Sequence, residues 1–390
     1  MSSSRRHAPA GLFAAFASLG VTASFVPAVL PAAERSIGAD LSLAVPALFA
    51  GLLVGVLLSG PLMLRRPART TLIVGSALQA AALVAGACAD TTLLFIVAAA
   101  TAGMGFGLVE AAGSVAAKGA VVGSATGVLS ALTGSVAVSA AVTPLAVAAG
   151  AGAMPALSAL AAVPLATIVI LATGRAARRD AAPPAPPARR DLGGLAMLAP
   201  FAVALPLYVG VETVLSGWSA VIPERTLSLS PSTAALGTTA FWTLMALGRF
   251  GAAGLRRRGV PPVAILAVGT AAAAVLMASA GLLLKAAPIG ALVALAAAVA
   301  LLAPSYGLIV GLALDRLDAA RSAAVTGALV ACGALGGTFV PALVLLIGRD
   351  PASSTTLLVS AGLCAAVPLL AVLAVRGSLG VSAERTPRRR

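Results

Sequence analysis

Two carboxylates stand where oil is expected. Glu110 lies in "GMGFGLVEAAGS" (Gly103–Ser114) and Glu212 in "PLYVGVETVLSGW" (Pro206–Trp218), both apolar stretches. The other ten of the twelve Asp and Glu fall in loops or near ends of apolar runs. A charged side chain at the centre of a bilayer costs about 2.5–3.5 kcal/mol on insertion scales, so such residues usually face a cavity and mark a working site. A carboxyl group at that depth can load and release a proton as water reaches it from alternate sides. Tyr208, Trp218, Trp242, Tyr306 and Gln79 could contact a ligand together with Glu212, and each could equally serve packing or an interfacial belt. Other chemistry is poorly supplied. The single histidine is His7, and Cys88, Cys332 and Cys364 are far apart with no metal-ligand spacing. No catalytic residue, metal or cofactor is expected, and no enzyme. No nucleotide-binding motif is present, which argues against ATP-driven work.

The elements that must hold these residues follow from composition. Sixty percent of the 390 residues are hydrophobic and 10% charged, with a mean hydropathy of +1.05, whereas a soluble domain is about a quarter charged. Long apolar runs recur along the whole length, and about 20 apolar residues suffice to cross a bilayer as a helix. Twelve spans are predicted, near 8–33, 41–64, 70–89, 91–117, 123–149, 154–174, 192–223, 233–255, 261–284, 289–314, 323–348 and 354–375. With the N-terminus inside, 22 of the 26 Lys and Arg fall on inner loops and ends, and only Arg35, Arg225, Lys285 and Arg349 fall outside. That is the positive-inside bias. The net charge of +14 therefore reads as topology, with both termini cytoplasmic, and not as nucleic-acid binding.

The chain repeats itself. "GVTASFVPAVLPAAER" (Gly20–Arg35) matches "GVETVLSGWSAVIPER" (Gly210–Arg225) at an offset of 190, opening on Gly-Val and closing on Glu-Arg. Gly60–Arg66 faces Gly251–Arg257 at offset 191, and Phe106–Val109 faces Tyr306–Ile309 at offset 200. Thr22 is the repeat partner of Glu212, which adds it to the ligand candidates. The first run ends on Ala32 and Ala33, as a cleavable leader could, but its repeat partner argues that it stays. The organisation expected is a six-helix half over 1–174, a cytoplasmic linker over 175–191 and a second six-helix half over 192–390 with a basic tail. The linker, "RAARRDAAPPAPPARRDL" (Arg175–Leu192), is proline-rich and favours extended chain.

Two parallel six-helix halves resemble the major facilitator superfamily. The resemblance implies an all-α membrane fold of twelve transmembrane helices, with helices 1, 4, 7 and 10 around a central cavity; Glu110 falls on 4 and Glu212 on 7. The superfamily's loop after helix 2 reads Gly-x-x-x-Asp-Arg-x-Gly-Arg; here it is Gly60-x-x-x-Leu64-Arg65-Arg66, and the second copy has Leu255 before Arg256. The gating role implied by that motif would fall to Arg65, Arg66, Arg249 and Arg256, without the usual acid. Gly103-x-Gly105-x-Gly107-x-x-Glu110 and Tyr208-x-Gly210-x-Glu212…Trp218 further resemble the fucose–proton symporter branch. That likeness implies proton coupling at Glu110. The branch's helix 1 acid is absent, where this chain offers Ser18, Thr22 and Ser24, and Ser114 stands where the branch has Asn.

The expected function is a secondary active transporter, proton-coupled, moving a small organic solute by alternating access, with protons, solute and the lipid bilayer as its partners. Uptake of a sugar-like solute and proton-driven efflux of a drug-like one stay open, as does a non-transporting membrane sensor or scaffold. The chain has no Asn and one Gln. A ring of sugar hydroxyls needs many polar partners, so an amphipathic or weakly polar solute fits better. The excess of Arg over Lys and the wealth of Ala suggest a high-GC bacterium, hence its inner membrane. A monomer is expected.

Overall fold

The computed structural model describes residues 7–120, 125–149, 153–173, 198–316 and 319–384, and the regular structure among them is helical. The helices are α1 (His7–Ile37), α2 (Ala44–Arg65), α3 (Ala68–Ala87), α4 (Thr92–Ala120), α5 (Ala125–Ala149), α6 (Ala153–Leu160), α7 (Ala162–Thr173), α8 (Ala199–Gly217), α9 (Val221–Leu227), α10 (Pro231–Arg257), α11 (Pro262–Leu283), α12 (Pro288–Leu302), α13 (Ser305–Leu314), α14 (Ala319–Gly348) and α15 (Ser354–Glu384). In lipid only intrahelical bonding satisfies the backbone of a lone segment, so uninterrupted apolar runs become helices. Ten stretches among the described residues are long and apolar enough to cross a membrane. The predicted fifth span appears there as the shorter apolar stretch Gly134–Ala149. The predicted eighth is α10, 27 residues long, which carries Ser232, Thr233, Thr238, Thr239 and Thr243. Large apolar side chains such as Leu64, Leu93, Phe250, Leu282 and Leu346 lie open on the surface, as a lipid-facing exterior requires. The predicted linker, 175–191, lies outside the described residues.

Three predicted spans are interrupted. Pro304 divides the tenth into α12 and α13, because proline cannot donate into the preceding turn. The sixth is split at Ala161 between α6 and α7. The seventh, expected to run unbroken to 223, stops at Gly217 and restarts at Val221. Ser219 supplies the reason: its N–H and hydroxyl both donate to the Ser216 carbonyl, at 3.3 and 2.6 Å, and so replace helical bonding locally. Pro144 and Pro206 sit inside helices that continue past them.

The chain divides into two compact units, Met1–Pro183 with Ser216–Thr243, and Pro184–Leu215 with Leu244–Arg390. In the first, α4 packs on α2 and α3, and α1 packs on α5, α4 and α7. Leu12, Phe16 and Leu19 of α1 meet Leu72, Val109, Ala112 and Leu132 in a buried cluster, and Phe25 lies against Phe95 with ring centroids 6.1 Å apart. Arg69, at the start of α3, donates to the Leu171 and Ala172 carbonyls and so caps the end of α7. In the second unit α11 packs on α15 and α12. Arg316 lies 4.5 Å over the Phe201 ring and donates to the Ala374 carbonyl at 3.2 Å, tying three helices by stacking and hydrogen bonding.

Candidate functional site

Glycines place Glu110. A Cβ on Gly103 would lie 1.8 Å from the Leu48 carbonyl oxygen, and one on Gly107 would lie 2.3 Å from that of Leu52. The relation is reciprocal: a Cβ on Gly51 would lie 1.9 Å from the Ala100 oxygen and one on Gly55 2.2 Å from that of Met104. Two glycine pairs of spacing four thus let the backbones of α2 and α4 touch. Gly105 turns to the other side and meets the Gly75 carbonyl of α3 at 2.6 Å, while Gly113 meets the Phe16 ring of α1 at 2.6 Å. Glu110 follows Gly107 by three residues and precedes Gly113 by three. By helical register it falls between the side of α4 that meets α2 and the side that meets α1. It is half-buried, and among the described residues it has no ion-pair partner.

A polar cluster stands behind it. The Ser18 hydroxyl donates to Gln79 Oε1 at 2.8 Å, joining α1 to α3. Gln79 is fully buried, and among the described residues its Nε2 has no partner; nor do the buried hydroxyls of Ser76 and Thr71 on the same helix. A Cβ on Gly105 would lie 2.9 Å from the Gln79 side chain. Thr22 is fully buried, and its hydroxyl donates to the Ser18 carbonyl at 2.9 Å.

In the second unit Tyr208 and Glu212 are one turn apart on α8 and share a face. Tyr208 is buried and Glu212 half-buried. The Tyr208 hydroxyl sits beside the Glu212 carboxylate and the Tyr306 backbone without completing a well-aligned hydrogen bond to either. Arg249 of α10 is close enough for its charge to act on Glu212, and its Nε donates to the Ala303 carbonyl at 3.2 Å. Glycine again sets the helix positions. A Cβ on Gly336 of α14 would lie 2.0 Å from the Pro206 carbonyl of α8, and one on Gly210 2.3 Å from Val340. Tyr208, Glu212, Tyr306 and Arg249 therefore come together.

The remaining candidates belong elsewhere. Thr22, Trp218 and Trp242 are part of the first compact unit. Trp218 is fully buried, and the indole N–H groups of Trp218 and Trp242 have no partner among the described residues. Trp242 meets Phe241 edge-on at 5.4 Å. Arg65, Arg66 and Arg256 are exposed at helix ends. Three things were not singled out from sequence: the α2 glycines Gly51 and Gly55, the Ser18–Gln79 bond, and the nearness of Arg249 to Glu212. The first two had signals, a Gly-x₃-Gly spacing and the only Gln of the chain. The third had none, since nothing in the sequence ties α10 to α8.

No family model matches the sequence, and no curated protein sequence does. Solved structures do. The chain is similar to a D-xylose-proton symporter, with a TM-score of 0.74 at 16% identity, over 95% of this chain and 97% of that one. It is similar to the nucleoside transporter NupG, with a TM-score of 0.72 at 12% identity, over 95% and 100%. It is similar to the peptide transporter POT, with a TM-score of 0.74 at 16% identity, over 95% and 94%. Likeness at such identities speaks for the fold. Among the described residues the chain is helical, with ten stretches long and apolar enough to cross a membrane, and it shares the multi-pass fold of these structures.

Proposed function

We propose that the protein is a proton-coupled secondary transporter that moves a small organic solute by alternating access between the sequence halves 1–174 and 192–390. The observation that carries this reading is the contrast between its two intramembrane carboxylates. Glu110 has no ion-pair partner among the described residues, whereas Glu212 has Arg249 and Tyr208 beside it. A carboxyl group without a counter-ion can take a proton from one side and lose it to the other, so Glu110 is the coupling residue. Glu212, with a positive charge and a phenol nearby, orients the solute with Tyr208 and Tyr306. Thr22, Trp218 and Trp242 are assigned to solute contact as well. Arg65, Arg66 and Arg256 are assigned to the cytoplasmic gate, where Leu64 and Leu255 replace the family's acid.

The structures that resemble this chain are named for xylose, nucleoside and peptide transport, so the fold leaves the solute open. The chain's own chemistry narrows it. With no Asn and with its single Gln on α3 bonded to Ser18, the chain favours an amphipathic or weakly polar solute over a sugar. The motif likeness to the fucose–proton symporters then bears on coupling and not on cargo. The composition and the positive-inside bias support a bacterial inner-membrane protein, monomeric, with both termini cytoplasmic. The test uses proteoliposomes and a panel of small solutes, comparing uptake driven by a pH gradient with counterflow exchange at equal pH. Glu110→Gln should retain counterflow and lose gradient-driven movement. Full gradient-driven transport by Glu110→Gln would leave Glu110 a packing residue and remove the coupling role.

A further inference from the structure

The Glu-Arg pair that closes each copy of the repeat is more than a marker of it. Arg35 Nη2 donates to Glu224 Oε1 at 2.5 Å, and Arg225 Nη2 donates to Glu34 Oε2 at 2.8 Å. Glu34 and Glu224 are repeat equivalents, as are Arg35 and Arg225, so each copy gives its acid to the other's base. The two crossed bonds join the end of α1 to α9. Both are anchored from behind. The Leu41 N–H donates to Glu34 Oε1 at 3.1 Å, and Arg35 Nη2 also donates to the Leu229 carbonyl at 2.9 Å. The ends of the two helices are shaped for the meeting: Gly38 at φ 72° and Ser228 at φ 54° stop them in left-handed turns just beyond the pairs.

The surroundings point the same way. Both glutamate side chains are only 12% exposed, so losing a partner leaves a largely buried charge uncompensated. Although Ser216–Thr243 belongs to the second copy by sequence, it packs as part of the first compact unit. Below the ion pairs the contact is tight: a Cβ on Gly217 would lie 2.3 Å from Val45, and the Thr239 hydroxyl donates to the Ala141 carbonyl at 3.0 Å. The four charged residues, with Gly38 and Asp40, line a shallow depression of about 400 Å³ above that packing.

We propose that Glu34, Arg35, Glu224 and Arg225 form a crossed ionic clasp that closes the extracellular end of the path, and that both pairs must part for the path to open outward. This rests on the transporter reading for its meaning and on the topology for its side. It is distinct from the cytoplasmic gate, whose basic loop motif lacks its acid here. The clasp makes the closed outer end depend on charge complementarity between repeat copies, and so on a pairing that a charge exchange preserves and a single reversal destroys.

The test reads accessibility rather than transport. A cysteine is introduced at Ala23, eleven residues before Glu34 on α1 and so about 16 Å deeper along the helix, in a Cys88→Ser background. Ala23 is half-buried near Val45, Ser216 and Gly217. Labelling by a membrane-impermeant maleimide is followed from outside in intact cells, relative to the same background without the new cysteine. Arg35→Glu and Glu34→Arg should each raise the labelling rate by on the order of threefold or more, since reversal removes one attraction and adds a repulsion. The exchanged doubles Arg35→Glu/Glu224→Arg and Glu34→Arg/Arg225→Glu should return it to the parent rate. Because each double carries more substitutions than its single, a general loss of folding cannot produce that rescue. Unchanged labelling in the single reversals, or no return in the doubles, overturns the clasp. If these rates move as expected while proteoliposomes carry no solute, the clasp stands and the transport reading fails.

Discussion

Replacing Gly103 by alanine tests the packing that places Glu110. The new methyl would meet the Leu48 oxygen at 1.8 Å, the Leu48 carbonyl carbon at 2.7 Å and the Leu52 nitrogen at 2.9 Å. Ordinary contact begins at 3.4 Å, so the first of these falls short by 1.6 Å. All three atoms are backbone, and no rotamer can move them aside. Helix α2 must retreat, and the contacts at Gly107, Gly51 and Gly55 along the same seam open with it. A gap of about 0.5–1 Å forfeits a quarter to a half of each dispersion contact, and overpacking typically costs about 1–3 kcal/mol. The better helix propensity of alanine returns about 0.8–1 kcal/mol, so the net loss spans about 0–2 kcal/mol, and the 1.6 Å overlap with immovable backbone puts Gly103→Ala at the upper end. Gly60→Ala is the internal control. Gly60 lies on the same helix α2, and a Cβ there meets nothing within 4 Å, so stability should hold or rise. The assay is thermal unfolding of the purified protein in detergent at one fixed scan rate, because irreversible unfolding makes the midpoint rate-dependent. Gly103→Ala should unfold several degrees below the parent and below Gly60→Ala. A midpoint for Gly103→Ala at or above that of the parent refutes the close backbone contact of α2 and α4.

Glu212→Gln and Arg249→Gln should each weaken solute affinity in counterflow while leaving the pH-gradient response of the residual transport intact. The double variant should lose less than the two single losses together, with a coupling of about 0.5–3 kcal/mol as for residues in one network; strictly additive losses would show that the two charges act separately. A cysteine placed at Pro184 should react only with reagent admitted to the cytoplasmic side, and reaction solely from outside would invert the topology.

Much of the helix order was legible because lipid leaves the backbone few choices. An apolar run of span length becomes a helix, without any knowledge of packing. What periodicity misses are the interruptions. The seventh span reads as continuous from composition, yet Ser219 ends helix α8 by bonding back to Ser216, a choice that a hydropathy window cannot resolve. The tenth breaks at Pro304, whereas Pro206 sits inside a helix that continues past it. The glycines of α4 admit a close neighbour. Their partners Gly51 and Gly55 carry the same spacing, but choosing α2 over any other helix requires the tertiary fold.

The charged residues show the limit most clearly. Arg249 was grouped with the gating arginines, although the predicted eighth span already ran past it to 255. Helix α10 ends at Arg257, which leaves Arg249 eight residues, or about 12 Å, inside that end. Gly248 beside it lets α10 come against the Ala300 carbonyl, where an alanine Cβ would stand only 2.0 Å away. That carbonyl and the Ala303 carbonyl belong to the last turn of α12, before the Pro304 break. The end of a helix offers carbonyls without intrahelical partners, and Arg249 takes one of them. Its guanidinium is thereby fixed beside Glu212 through a break in a third helix. The same chemistry explains why an arginine is kept there: at a helix C-terminus it meets a partial negative charge from the backbone as well as the carboxylate. Substituting Arg249 should therefore disturb both the α12 terminus and the Glu212 site, whereas substituting Glu212 should leave the helix terminus capped.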